Sequence, residues 1–361
     1  MISKDYSENL NPFLADLVPD ESGPDLKDVS SKCRIPEDKI AVLSLNENPY
    51  GPSPNVWKAL KDVPLNRYPD YKPFLKALSN YAEYPEENIV VGAGMDEIIT
   101  TIARLFLGQG DKALIPVPTY NLYGLAASLC GALPVYRPRL QGFEVDLDIP
   151  DGIKMIFLCT PNNPTGNSLS EKSARTIAES AKGIVFLDEA YVEFAESNLL
   201  KLVRDYENLV VGRTLSKAFG LAGMRLGYAV APEWIAEQYR RIAPLFSISS
   251  LSLAAGVAAL QNFKYMKESV GKIVGERERI RSRIDTYPSE GNFLYLQTKE
   301  RSNLVAEQLL CQGIMVRDCS NFPGAGEHCL RVSVGTPEQN DRFLDAYAPG
   351  SLSPKPDCLK T

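Results

Sequence analysis

Residues 213 to 228 read Arg-Thr-Leu-Ser-Lys-Ala-Phe-Gly-Leu-Ala-Gly-Met-Arg-Leu-Gly-Tyr, directly after a short apolar run. Thr214 and Ser216 offer hydroxyls, Arg225 offers a fork of N–H donors, and Lys217 lies between them. Hydroxyls and a guanidinium at the carboxyl end of a strand suit a phosphate. A lysine inside such a site suits a ligand bearing both a phosphate and a carbonyl. The amine can bond the carbonyl as an imine, whereas a free ammonium of pKa near ~10.4 is a poor nucleophile. Pyridoxal phosphate (PLP) is a ligand of this kind.

Other segments offer what such a ligand needs. Ile184-Val-Phe-Leu-Asp188 is a buried-strand pattern that ends in a carboxylate. Paired to a pyridine nitrogen, that carboxylate keeps the nitrogen protonated and the ring able to accept electrons. Tyr191, three residues on, can reach a phenolic oxygen on the ring, and so can the amide of Asn163 in Cys159-Thr-Pro-Asn-Asn-Pro-Thr-Gly. Val91-Gly-Ala-Gly-Met-Asp-Glu joins a strand to a helix, where backbone N–H groups cradle phosphate. Tyr120 follows another strand and can stack on a ring. Taken singly, each segment has a plainer reading: a solvated Lys/Arg loop, an Asp-Glu helix cap, an Asn-Pro-Gly turn, a core tyrosine. Together, five strand tips present in chain order a cradle, an aromatic, an amide, a carboxylate and a lysine.

The elements that must hold these residues follow from periodicity. Short β-rich runs at Asn88–Val91, Ala113–Val117, Met155–Cys159, Ile184–Leu187, Leu209–Gly212 and Leu226–Val230 alternate with helical periods such as Met95–Leu107. That alternation predicts an α/β layer structure with a mostly parallel sheet. The pattern then changes to a long helical stretch from about Ser252 to Ile284 with a break near Asn262. Strand Asn292–Leu296, helix Asn303–Gln312, strand Leu330–Val334 and helix Glu338–Ala346 follow. The expected partition is an N-terminal segment, 1–45, packing with a small α+β domain, 246–361, and a large α/β domain, 46–245; residues 349–361 read as a loose tail.

Composition narrows the chemistry. Lys and Arg total 39 against 45 Asp and Glu, a net charge of −6, which makes a poor partner for nucleic acid. No apolar run approaches the ~20 residues of a membrane span, and the first residues lack a signal-peptide core, so a cytoplasmic protein is expected. The single histidine, His328, rules out a histidine-rich metal site, and no metal is expected. The seven cysteines show no zinc or redox spacing and read as reduced thiols. A cofactor is left to carry demanding chemistry.

With these residues in view, the sequence resembles the fold-type I PLP-dependent transferases, and among them most closely the histidinol-phosphate aminotransferase family. The resemblance runs from Leu45-Asn-Glu-Asn-Pro-Tyr-Gly-Pro-Ser-Pro54 to Leu330-Arg-Val-Ser-Val-Gly335. It implies that Lys217 bonds the cofactor and moves protons, that Asp188 meets the pyridine nitrogen, and that Asn163 and Tyr191 hold the phenolic oxygen. Tyr120 would stack on the ring. Backbone at Gly94, Met95 and Asp96, with Thr214, Ser216 and Arg225, would hold the phosphate, joined by Tyr68 from a second subunit of a homodimer. Arg331, with Arg317 nearby and Asn163 beside the substrate, would meet the anion of an amino donor or 2-oxo acid. The implied reaction exchanges an amino group between histidinol phosphate and 2-oxoglutarate.

Two positions depart from the family. Met95 stands where a small residue is usual, and Phe13, in Asn11-Pro-Phe, replaces a tyrosine that contacts substrate phosphate. Val316-Arg-Asp-Cys-Ser-Asn-Phe-Pro-Gly-Ala-Gly also resembles threonine-phosphate decarboxylase, an alternative reading. A non-catalytic PLP-binding regulator is a distant one, since the residues before 45 leave no room for a DNA-binding module.

Overall fold

A computed structural model describes residues 23–348. Its strands are β1 (Ala41–Leu43), β2 (Ile89–Ala93), β3 (Lys112–Val117), β4 (Leu133–Pro138), β5 (Ile153–Cys159), β6 (Ile184–Asp188), β7 (Leu209–Thr214), β8 (Leu226–Val230), β9 (Phe293–Gln297), β10 (Ile314–Asp318) and β11 (Cys329–Ser333). Seven of them form one sheet in the order β2-β8-β7-β6-β5-β3-β4. β3 to β7 are joined by parallel pairings, and β8 runs antiparallel to both of its neighbours. This is the mostly parallel α/β architecture that the alternation predicts.

Every residue of β6, β7 and β8 is buried, as a sheet covered on both faces requires. β4 is the exception. It lies at an edge, half-exposed, and its Pro134 and Pro138 are tolerated because an edge strand can spare N–H donors. The chain moves from β3 outward to β4 and then returns to the other side of β3 with β5. The reversal opens a crevice at the carboxyl ends of β3 and β5, the usual ligand position in such sheets.

The remaining strands form a second sheet, β1-β10-β11-β9. β1 pairs in parallel with β10, so the chain just before the large sheet is bound to a strand that lies beyond that sheet in sequence. Helix Ser250–Gln261 is followed by helix Phe263–Arg281, and Asn262 between them leaves helical geometry at φ −122°, ψ 48°. The Asn262 amide donates to Ser53 Oγ at 2.9 Å, which fixes the break.

Cys33, Cys130, Cys159, Cys319 and Cys329 are free thiols. Cys311 is disulfide-bonded, which corrects the expectation of reduced cysteines throughout. No helix among the described residues is long and apolar enough to cross a membrane. Phe13 and the expected tail at 349–361 lie outside the described residues.

Candidate active site

β6 delivers Asp188 at its last position, 3% exposed, with one oxygen accepting the Ala190 N–H at 3.0 Å. The other accepts the Tyr123 hydroxyl at 2.7 Å. Burial pushes the carboxyl up to about 6 against the lowering effect of those two hydrogen bonds, and Asp96 and Glu189 add repulsion. A buried carboxylate of this kind is poised to meet a cation.

Lys217 follows β7, and its Nζ donates to the Leu45 carbonyl at 2.9 Å. Burial brings its ammonium down to about 8; Arg331 and Arg225 push the same way, and Glu47 and Asp96 oppose them. The amine is therefore available as a nucleophile far closer to neutrality than an ordinary lysine. Its loop is pinned from the other side. Asn48 donates to the Ala218 carbonyl at 2.9 Å, and Gly220, at φ +66°, sits where a Cβ would meet the Gly51 carbonyl carbon at 2.5 Å.

The phosphate-suited groups lie between β2, β7 and β8. Helix Gly94–Phe106 starts at Gly94 with φ +81°, and a Cβ there would meet Arg225 Nη2 at 2.5 Å. Because β8 is reversed, its approach residue Arg225 reaches the same edge as the carboxyl ends of its neighbours. Arg225 pairs with Asp96 at 2.8 Å, both side chains about half exposed, and the Tyr120 hydroxyl donates to the other Asp96 oxygen at 3.2 Å. Thr214 Oγ1 lies 2.9 Å from the Leu226 carbonyl and accepts the Ser216 N–H at 3.1 Å. Its hydroxyl is thus engaged inside the protein and orders Ser216. Met95 is buried, and its side chain lies where a Cβ on Gly212 of β7 would meet Met95 Cε at 2.5 Å. The larger residue is accommodated by a glycine opposite it.

On the small sheet, Arg317 of β10 and Arg331 of β11 are direct antiparallel partners, which sets their side chains on one face. Arg331 Nη1 donates to Asn163 Oδ1 at 2.6 Å and Nη2 donates to the Ser44 carbonyl, while its buried Nε has no partner among the described residues. Burial holds the guanidinium below its ordinary value. Among the described residues no carboxylate pairs with it, so this buried cation suits an anionic ligand.

Met95, Asp96, Tyr120, Asn163, Asp188, Tyr191, Thr214, Ser216, Lys217, Arg225, Arg317 and Arg331 all line one cavity of about 260 Å3. Gly94 adjoins it through Arg225. Tyr68 is elsewhere: 80% exposed, its ring stacks on Phe246 with centroids 4.5 Å apart. Two lining residues to which the sequence reading gave no role are Tyr123 and Asn46, whose amide donates to the Tyr191 hydroxyl at 3.0 Å. Tyr123 stood in the segment Pro-Thr-Tyr-Asn-Leu-Tyr and Asn46 in Leu-Asn-Glu-Asn-Pro; nothing in one sequence distinguishes their side chains from core tyrosines and turn asparagines.

The donor set fits PLP: an amine freed near neutrality, a buried carboxylate awaiting a cation, hydroxyl and guanidinium groups around a helix start, and an amide and a phenol between them. The sequence model described as aminotransferase class I and II matches residues 38–346. The histidinol-phosphate aminotransferase of Methanosarcina mazei is 42% identical over 338 residues, covering 90% of this chain and 92% of that protein. The crystal structure of histidinol-phosphate aminotransferase from Sinorhizobium meliloti in complex with pyridoxal-5'-phosphate superposes with a TM-score of 0.83 at 25% identity. The match covers 98% of this chain and 99% of that one. L-threonine-O-3-phosphate decarboxylase from Porphyromonas gingivalis shares the fold, with a TM-score of 0.76 at 23% identity, the match covering 85% of this chain and 98% of that one.

Proposed function

The chain belongs to the class I and II aminotransferases, and from that premise we propose that it moves an amino group between L-histidinol phosphate and 2-oxoglutarate, as a step of histidine biosynthesis. PLP, when bound, supplies an electron sink for the bond broken at the amino donor's Cα. Lys217 would hold the cofactor covalently, and its amine, set free when the donor's amine takes its place, would hold and move the proton of the donor's Cα. Asp188 would pair with the protonated pyridine nitrogen, a cation that would offset the burial now raising the carboxyl's pKa. Asn163 and Tyr191 would hold the phenolic oxygen and Tyr120 would lie against the ring. The N–H groups of Gly94 to Asp96, with Ser216, Thr214 and Arg225, would hold the phosphate.

The observation that carries the substrate reading is the register pair Arg317–Arg331, two guanidiniums lining one cavity, with the buried Nε–H of Arg331 unmet among the described residues. Such a pair accepts a phosphate dianion in one half-reaction and a carboxylate in the other, because the guanidinium fork bonds either anion in pairs. The exposed apolar cluster of Tyr68, Leu65, Leu245 and Phe246 supports a homodimer in which Tyr68 reaches the partner's phosphate site. The pairing of β1 with β10 supports the partition in which residues before 46 go with the small domain. A cytoplasmic location completes the reading.

The test is single-turnover loss of the yellow cofactor absorbance with histidinol phosphate, histidinol, glutamate and threonine phosphate. Histidinol phosphate should react far faster than histidinol. Equal rates would sink the dianion site, and release of carbon dioxide from threonine phosphate would sink the aminotransferase assignment. Borohydride reduction should fix the label on the peptide holding Lys217; recovery on another lysine would refute that residue's role.

A further inference from the structure

Asn46 is a buried asparagine, 1% exposed, at φ 54°, a left-handed conformation that asparagine tolerates better than most residues. All its polar groups are engaged. Its N–H donates to Ser333 Oγ at 2.8 Å, and its carbonyl accepts the Asn292 amide at 2.9 Å. Ser333 Oγ, having accepted there, donates its own proton to Asn46 Oδ1 at 2.9 Å. That bond fixes which way the Asn46 amide faces, so Nδ2 is the atom directed at Tyr191, 3.0 Å from its hydroxyl oxygen. Tyr191 is therefore an acceptor toward Asn46. Its single proton points away from Asn46, on the side of the cavity that Tyr191 lines.

We propose that Asn46 and Ser333 are a positioning pair that fixes the Tyr191 hydroxyl as a hydrogen-bond donor into the cavity and ties that direction to the strand carrying Arg331. The proposal rests on the PLP reading, since the acceptor in question is the cofactor's phenolic oxygen. Ser333 lies two residues after Arg331 on β11, so both side chains belong to one face of that strand. An anion that draws on Arg331 thus acts on the same strand that sets the donor direction of Tyr191. The charged and titratable groups facing Tyr191 are Lys217, with Nζ 5.7 Å from the ring centroid, Arg331, Asp188, Cys159 and Tyr120. Burial pushes the Tyr191 hydroxyl up to about 12, offset in part by Arg331 and by the Asn46 hydrogen bond, so the proton to be directed is present at working pH.

A donor to the phenolic oxygen draws charge from it and lowers the proton affinity of the nitrogen beside it. The readout is the pH midpoint of the visible absorbance of the PLP-loaded protein, with no substrate. Tyr191→Phe should raise the midpoint by about one unit, the shift expected from losing one charge-assisted hydrogen bond. Asn46→Gly keeps the left-handed backbone and removes the amide; it should raise the midpoint by roughly half a unit, a fraction of the same hydrogen bond. In the Tyr191→Phe background Asn46→Gly should add nothing, because it acts only through that hydroxyl. Ser333→Ala releases the amide to flip and should give a smaller rise, also lost in the Tyr191→Phe background; it decides the matter alone if Asn46→Gly does not fold. An unchanged midpoint in the single variants, or an undiminished shift without the Tyr191 hydroxyl, overturns the proposal. A wild-type protein that takes up no PLP shows no visible band, which overturns the cofactor reading and this proposal with it; a normal band with unshifted variants overturns this proposal alone.

Discussion

Asp188→Asn should push the stability of the cofactor-free protein and the affinity of the loaded one in opposite directions. Without cofactor, the carboxyl is buried with one phenol and one backbone N–H for company, and its pKa rises from 3.8 to about 6. A folded-state value above the unfolded one means that the native state holds the proton more tightly. This group's contribution to stability is therefore fully present below pH 3.8 and is lost as pH rises through 6. At about 1.4 kcal/mol per unit, the loss amounts to about 3 kcal/mol at pH 8. Asparagine is neutral at every pH, nearly the same size, and can still accept from Ala190 and meet Tyr123. The cofactor-free variant should thus melt about 4 °C higher at pH 8, taking ~2 cal/mol/K of unfolding entropy per residue. The difference should shrink as pH falls toward 4. In the loaded protein the variant loses a buried charge-assisted hydrogen bond, on the order of 1.5–3 kcal/mol, so PLP should bind ~10- to 150-fold more weakly. Circular dichroism melts across pH and titration of absorbance with PLP read the two effects. A cofactor-free variant that melts lower than wild type at pH 8, or a loaded one with undiminished affinity, would refute the assignment of Asp188 as a carboxylate kept for a cation.

Other expectations follow from the same geometry. The rate at which cofactor-free protein captures PLP should rise with pH around a midpoint of about 8, since Lys217 must shed a proton first; stopped-flow absorbance showing a midpoint near that of free lysine would contradict the burial argument. Arg331→Ala should slow both half-reactions by ~10- to 150-fold in kcat/KM, whereas Arg317→Ala should act mainly on the phosphate-bearing donor; equal effects of the two would argue against separate duties. Ser216→Ala should weaken PLP binding more than Thr214→Val, because the Thr214 hydroxyl is turned toward Leu226 and Ser216, and equilibrium dialysis that reverses this order would reject the division between them.

The sequence by itself determined which residues could hold a phosphate-bearing carbonyl compound and the order in which strands present them. Asp188 ends an unbroken apolar run and Lys217 follows another, and buried parallel strands announce themselves by such runs. Local pattern also located the helix break at Asn262. Strands that owe their existence to distant partners were not legible. β10 offers only Ile314, Met315 and Val316 before it turns polar, and it is a strand because β1 and β11 flank it. β4, half-exposed and with two prolines among its six residues, lacks the alternation that marks a half-buried strand. The tertiary structure alone decided that β8 runs backward and so brings Arg225 to the edge where β2 and β7 end, that Arg317 faces Arg331, and that Tyr123 and Asn46 turn to Asp188 and Tyr191. The physical reason is common to all of these: a side chain's type is written at its position, but the partner it meets is set by which segments pack together. Hydrogen bonds between residues 145 positions apart, as between Asn46 and Tyr191, leave no local period to read.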